Sequence, residues 1–208
     1  MLFRSGPAGL EAARALGQRG YEVHLAEGRR ELGGRVTREA RLPGLAEWAR
    51  VRDWRLGQIR KMNNVATYLD SQLTAQDVLD FAADHVVIAT GCHWRRDGYG
   101  RSHGEPIADF ADNPAIFTPD DIMDGRRPAG EVLVFDDDHY YMGPVIAQRL
   151  ASQGARVRYV TTEGRAGSWS QYTAEQERTQ RALIERLGLD QVILIGNSVG
   201  AWIDRKSV

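Results

Sequence analysis

The chain has 208 residues, of which 42% are hydrophobic and 26% charged, so it is long enough for one large domain or two small ones. Its 27 Lys and Arg residues and 28 Asp and Glu residues are spread along the sequence and give a net charge of −1, which argues against a nucleic-acid partner or an anionic membrane surface. The longest apolar runs are about five residues, far short of the ~20 that a membrane span needs, and a single cysteine, Cys92, predicts a reducing, cytoplasmic setting without disulfides.

Strand-like and helix-like segments alternate along the chain, which predicts a parallel sheet with crossover helices. The first part predicts a helix over 7–18, a strand over 21–26, a loop-rich stretch over 28–50, a helix over 48–62, a strand over 65–68, a short helix over 75–82 and a short buried strand over 86–89. Leu10 and Ala13 mark the inward face of the first helix, and Thr74 is the expected cap of the third.

A polar stretch rich in Gly and Pro, over 95–130, separates these elements from a second βαβ unit. That unit predicts a strand over 132–135, a helix over 143–152, a strand over 156–161, a helix over 171–187 and a strand over 192–195. We therefore predict an α/β, Rossmann-like FAD/NAD(P)-binding fold made of two nested dinucleotide-binding-type units with parallel sheets. Residues 1–123 form the first domain, and residues 124–208 form a second, NAD(P)-type domain.

Glycines open the first predicted helix in the pattern Ser5-Gly6-Pro7-Ala8-Gly9, which resembles the second half of a GxGxxG dinucleotide fingerprint. A glycine at the second position lets main-chain N–H groups approach a pyrophosphate, and a glycine at the third lets the helix pack closely on the sheet. Glu27 ends the next strand about 20 residues further on, where a carboxylate accepts hydrogen bonds from ribose hydroxyls. The simpler alternative is a tight turn followed by a surface glutamate.

The fingerprint is incomplete at its start. Arg4 stands in the first glycine position, and only Leu2-Phe3 represents a strand that usually has about five or six residues. We therefore expect the first domain to lack most of its first strand, with residues 1–5 as the edge of a truncated element.

Further motifs extend the likeness over nearly the whole chain. They are Gly6–Ala13, Glu31-Leu32-Gly33-Gly34-Arg35, Leu42–Trp48, Arg52-Asp53 and Ala89-Thr90-Gly91. Together they resemble the C-terminal nucleotide-binding region of the trimethylamine/dimethylamine dehydrogenase group, relatives of 2,4-dienoyl-CoA reductase and old yellow enzyme.

The resemblance implies a division of labour within a longer parent protein. In this group an N-terminal barrel with FMN oxidises the substrate, and electrons pass through an iron–sulfur cluster to an electron-transferring flavoprotein. The matching region holds ADP in the amine dehydrogenases and FAD in the reductases. The resemblance thus implies a homo-oligomeric parent and no catalytic residue in this chain. It also implies a nucleotide site formed by Gly6, Pro7, Ala8, Gly9, Glu27, Gly33, Gly34, Arg35, Thr90 and Gly91.

The second unit has acidic residues where a working nicotinamide-dinucleotide site has glycines. Asp136, Asp137 and Asp138 follow its first strand, with His139, Tyr140 and Tyr141 after them. Two like charges ~4 Å apart repel by about 4 kcal/mol at an effective dielectric constant near 20, roughly a thousandfold in affinity. We therefore expect no NAD(P)H binding here. A metal site at Asp136, Asp138 and His139 is the alternative, although no fourth ligand is evident.

Two rival functions remain at this stage. The first is an NADPH-dependent reductase of the dienoyl-CoA type, with FAD in the first domain and NADPH in the second. The second is a non-catalytic docking module whose nucleotide site is dead, which Arg4 and the short first strand favour. Cys92, beside the Ala-Thr-Gly segment, is expected to be a buried thiol rather than a redox centre.

Overall fold

The computed structural model describes residues 1–102, 104–173, 178, 181–183 and 185, apart from the side chain of Phe3. The chain divides into two compact units, residues 1–93 and residues 94–208. The assignment of residues 1–123 and 124–208 to two ligand-binding-type domains stays a prediction.

A four-stranded parallel sheet organises the first unit. Its strands are β1 (Leu2–Phe3), β2 (Val23–Ala26), β3 (Val65–Tyr68) and β4 (Val87–Ile88), in the order β3-β2-β1-β4. Leu2 pairs with Leu25 of β2 and with Val87 of β4, so the two-residue β1 is central in the described sheet. This strand order is that of a dinucleotide-binding half, and it confirms the predicted Rossmann-like α/β fold with parallel strands.

Helices of the first unit connect these strands. They are α1 (Pro7–Gln18), α2 (Arg35–Glu39), α3 (Ala49–Ile59) and α4 (Ala75–Asp80). The first has the bounds that its hydrophobic periodicity predicts, and its Leu10 and Ala13 are fully buried in a core shared with Leu2, Leu25 and Ile59. Thr74 caps α4 in a reciprocal capping box with Asp77, as the sequence predicts.

The second unit contains a βαβ element. Its described segments are α5 (Pro119–Met123), β5 (Glu131–Asp136), α6 (Met142–Ser152) and β6 (Arg156–Thr161). β5 and β6 pair in parallel along their full lengths, and α6 buries Met142, Val145 and Leu150. Residues 171–173 form a turn, and residues 178, 181–183 and 185 are helical. The rest of the predicted 171–187 helix, and the predicted strand over 192–195, lie outside the described residues.

The sequence did not predict two short helices, and one expectation about a strand was wrong. The loop-rich stretch over 28–50 contains α2, and the polar stretch over 95–130 contains α5, each of five residues. The strand over 86–89 was predicted to be buried, but Val86 is 44% and Ile88 74% exposed. Side chains of a strand project from the faces of the sheet, so the face that carries Val86 and Ile88 is largely uncovered by the described residues.

Candidate nucleotide-binding site

The glycine-rich turn joins β1 to the amino end of α1. Gly6 is the N-cap residue of α1, and Pro7 occupies the first helical position, where its missing N–H costs nothing. A Cβ built at Gly6 would meet no atom within 4 Å. The space in front of this helix terminus is therefore open, as a bound diphosphate requires.

Gly9 has the packing role predicted for the third glycine. A Cβ at this position would lie 1.9 Å from the carbonyl oxygen of Arg4 and 3.4 Å from the Cβ of Ala89, just after β4. No side chain fits there, because α1 passes directly over the backbone of the turn.

The Leu-Gly-Gly loop packs onto this turn. Gly33 and Gly34 have φ angles of +111° and +55°, which favour glycine. A Cβ at Gly34 would lie 3.0 Å from the Cα of Gly6, and one at Gly33 would overlap Thr37 and Arg52. The two loops predicted to flank a diphosphate therefore contact each other through glycine backbones.

Glu27 lies beneath the glycine turn and points towards it. Its Oε2 accepts hydrogen bonds from the Ser5 N–H at 2.8 Å and the Ser5 hydroxyl at 2.7 Å, and its Oε1 accepts one from the Arg29 N–H at 3.0 Å. The residue is 1% exposed, so its carboxylate is covered by these donors. A surface glutamate, the simpler alternative, is therefore wrong. A carboxylate has about four acceptor positions, and these donors use three of them.

Ser5 is the residue of this site that pattern analysis missed. It is fully buried, and the Gly33 N–H donates to its carbonyl oxygen at 2.8 Å and to its hydroxyl at 3.2 Å. It stands at a variable position of the fingerprint, so its type carries no motif signal. Its small size and its place between two glycine-position residues were the available clues.

The remaining predicted residues lie along the same edge of the sheet. Thr90 and Gly91 are exposed just after β4, and Gly91 has a φ of +75°. Arg35 donates to Glu39 and lies with its Nη1 3.7 Å from the Cys92 sulfur. Cys92 is exposed, so the expectation of a buried thiol was wrong, because the chain leaves the sheet before reaching it.

Arg4 has the backbone conformation that the first glycine of the fingerprint supplies. Its φ is +68°, in the left-handed region, and its N–H donates to Ala26. This conformation costs an L-residue about 1–2 kcal/mol.

We expect Arg4→Gly to raise the free energy of unfolding by about 1 kcal/mol in urea denaturation, because glycine adopts this conformation without that cost. Arg60→Gly, at a φ of −60°, is the control and should lower it. A loss of stability in Arg4→Gly would contradict this explanation.

A depression lies at the amino-terminal edge of the sheet, opposite the edge that carries the glycine turn. It has a volume of about 780 Å³ and is lined by Met1, Val23, His24 and residues of the segment over 81–87. It arises because β1 is shorter than β2. Val23 and His24 pair with β3, but the first residue of β2 that pairs with β1 is Leu25. In parallel α/β sheets ligands bind at the carboxyl ends of the strands, which is the edge that carries the glycine turn and not this depression.

In the second unit, the acidic turn after β5 is an ordered network. Asp136 is 2% exposed, and its carboxylate accepts from the N–H groups of Asp138 and His139 and from the Tyr159 hydroxyl. A Cβ at Gly143 would lie 2.5 Å from the Asp136 carboxyl carbon, so this carboxylate sits against the first turn of α6. A carboxylate of this chain therefore adjoins a helix terminus, which is the kind of position where phosphates bind in dinucleotide-binding folds.

Asp137 extends this network through Ser102 and Thr162. The Ser102 N–H donates to Asp137 at 2.8 Å, and the Ser102 hydroxyl donates to it as well. Burial raises the pKa of Asp137, but these hydrogen bonds outweigh it and hold the pKa below its usual value. Among the described residues, no group of three or more His, Cys, Asp or Glu is arranged to hold a metal ion. The metal alternative at Asp136, Asp138 and His139 therefore has no support there.

Tyr159 provides a test of the buried Asp136 carboxylate. Burial and the adjacent Asp136 carboxylate raise the pKa of Tyr159, so its hydroxyl is a proton donor at neutral pH. We expect Tyr159→Phe to lower the free energy of unfolding by about 2 kcal/mol, because it removes a hydrogen bond to a buried charge. Tyr172→Phe is the control, since Tyr172 is 92% exposed. Equal denaturation midpoints for the two variants would contradict the assignment.

The strand order and the glycine-lined helix terminus define a Rossmann-like α/β protein of the dinucleotide-binding class. Residues 5–115 match the model of the pyridine nucleotide-disulphide oxidoreductases, and residues 117–205 match the OYE-like second alpha/beta domain. The chain belongs to the pyridine nucleotide-disulphide oxidoreductase family.

Several amine-oxidising enzymes are similar to this chain. It is 39% identical over 91% of its length to the dimethylamine dehydrogenase of Hyphomicrobium sp. (strain x), of which it spans 26%. The structure of 6-hydroxypseudooxynicotine amine oxidase from Pseudomonas geniculata N1 superposes with a TM-score of 0.85 at 49% identity, covering 89% of this chain and 28% of that one. The structure of histamine dehydrogenase from Rhizobium sp. 4-9 superposes with a TM-score of 0.84 at 49% identity, covering 89% of this chain and 29% of that one. These similarities confirm the resemblance to the amine dehydrogenase group.

No helix within the described part of the chain is both long enough and apolar enough to cross a membrane.

Proposed function

We propose that this chain is the nucleotide-binding region of a flavin-dependent, amine-dehydrogenase-like oxidoreductase, and that it binds the ADP moiety of ADP or FAD. The observation that carries the proposal is the convergence of Gly6, Gly34 and Glu27 around Ser5 at the carboxyl edge of the sheet. Main-chain N–H groups of the first turn of α1 would receive the diphosphate, and Glu27 the ribose.

In the parent enzyme proposed here, substrate oxidation takes place outside this chain. FMN and an iron–sulfur cluster would belong to those other regions, and electrons would leave for an electron-transferring flavoprotein. The parent would be a homo-oligomer in the cytoplasm, with no nucleic-acid or membrane partner. The similarity to dimethylamine dehydrogenase and to the two solved amine-oxidising enzymes supports this assignment.

Isothermal titration calorimetry with ADP, FAD and AMP tests the proposal. We expect saturable binding of ADP or FAD at one site per chain, and weaker binding of AMP, which lacks the second phosphate. A comparison of ADP with FAD decides between the two ligands. Circular dichroism of the same sample is the control for folding.

A docking module with a dead nucleotide site is the second candidate, favoured by Arg4 in the first glycine position. A folded sample that takes up neither ADP nor FAD would make this the better answer. A third candidate, an NADPH-dependent reductase of the dienoyl-CoA type, predicts saturable NADPH binding to the intact parent enzyme. The Asp136 carboxylate against α6 argues against it, since it would repel a phosphate there.

A further inference from the structure

Ser5 connects three parts of the candidate site through one buried side chain. Its hydroxyl donates to the Glu27 carboxylate at 2.7 Å and accepts from the Gly33 N–H at 3.2 Å. Its own N–H donates to the same Glu27 oxygen at 2.8 Å. The end of β2, the glycine turn and the Leu-Gly-Gly loop therefore meet at this serine.

These contacts leave the two carboxylate oxygens of Glu27 with different numbers of hydrogen bonds. Oε2 is held by two hydrogen bonds from Ser5, whereas Oε1 accepts one, from the N–H of Arg29. Arg29, whose N–H donates to Oε1, is exposed, whereas Ser5, which holds Oε2, is fully buried. Oε1 is consequently the oxygen with an acceptor position left for a ribose hydroxyl.

We propose that Ser5 is a positioning residue that sets the ribose selectivity of the nucleotide cleft by holding Oε2 of Glu27 and so presenting Oε1 to the sugar. The inference rests on the proposed function, because it requires that an adenosine diphosphate binds at this turn.

The diphosphate part of the site does not depend on the Ser5 hydroxyl. In Ser5→Ala the Gly33 N–H retains its 2.8 Å hydrogen bond to the main-chain carbonyl of residue 5, so the Leu-Gly-Gly loop stays in place. The carboxylate loses one of the two bonds on Oε2 and gains freedom to turn. Removal of this hydroxyl should therefore weaken recognition of the ribose while leaving recognition of the phosphates intact.

Calorimetry with ADP and 2′,3′-dideoxy-ADP separates the two effects, because these ligands differ in the ribose hydroxyls alone. In the unsubstituted chain we expect ADP to bind roughly tenfold more tightly or better, as hydrogen bonds to a charged group provide. In Ser5→Ala this ratio should fall below about threefold, with the affinity for dideoxy-ADP within about twofold of the original. Ser71→Ala is the matched control and should keep the original ratio, since the Ser71 hydroxyl donates to the Leu69 carbonyl.

Ser5→Cys provides a second variant of nearly the same shape, whose thiol is a weak donor, in case alanine leaves a destabilising gap. It should lose ribose selectivity as well. An unchanged ratio in both variants would overturn the inference, and so would an equal loss of affinity for both ligands, which indicates a purely structural role. Equal binding of ADP and dideoxy-ADP by the unsubstituted chain would overturn it too while leaving diphosphate binding standing. Binding of neither ligand would overturn the proposed function together with this inference.

Discussion

The substitution Gly9→Ala is expected to lower the free energy of unfolding by about 3 kcal/mol or more, at the upper end of what overpacking costs. The added methyl group would be placed 1.9 Å from the Arg4 carbonyl oxygen. The obstacle is backbone rather than a flexible side chain, so relief requires α1 to move away from β1. Leu10 and Ala13 would then lose contacts in the core. Urea denaturation followed by circular dichroism measures the effect.

Gly57→Ala is the matched control for this prediction. Gly57 also lies within a helix, α3, but a Cβ there would meet nothing within 4 Å. This substitution should raise the free energy of unfolding by about 0.5–1 kcal/mol, because alanine favours helix more than glycine does. Equal and small effects at both positions would show that the contact between α1 and the turn is not close.

Gly6→Ala is expected to lower ADP affinity about a hundredfold while changing stability by less than ~1 kcal/mol. Gly6 has a φ of −62°, which alanine adopts readily, and the space around its missing Cβ is open. The free protein therefore tolerates the methyl group. A diphosphate at the helix terminus does not, because it must approach the main-chain N–H groups to hydrogen-bonding distance.

The comparison of the two glycine variants separates folding from binding. Calorimetry with ADP and urea denaturation are both measured for each. Retention of full ADP affinity in a folded Gly6→Ala protein would show that the phosphates bind elsewhere, or that the Arg4-containing turn is not a nucleotide site. A large loss of stability in the same variant would show that the space in front of Gly6 is filled.

Sequence pattern was sufficient for the bounds of several elements. The bounds of α1, β3 and β6 are those predicted, although α1 alone of the three contains buried residues. The helices α2 and α5 were not predicted, because a hydrophobic period of 3.6 cannot be recognised over five residues. For α5 a signal was present: Thr118, Pro119 and Asp121 form a capping box with proline at the first position.

The glycines of the site could be predicted, whereas the hydrogen bonds around Glu27 could not. Gly6 and Gly9 follow a spacing rule that reflects local geometry. Ser5 acquires its role from Glu27 and Gly33, which are distant in sequence and meet it only once β1 and β2 are paired. The exposure of Ile88 and Cys92 has the same origin, because it depends on which neighbours the sheet supplies.

The contact of Gly34 with Gly6 makes the glycine turn depend on the Leu-Gly-Gly loop in one direction. A Cβ at Gly34 would lie 3.0 Å from the Cα of Gly6, whereas a Cβ at Gly6 would meet nothing within 4 Å. A larger residue at position 34 would therefore push against the main chain of the turn, whatever side chain position 6 carries. In the free protein, substitution at position 34 should consequently cost more stability than substitution at position 6.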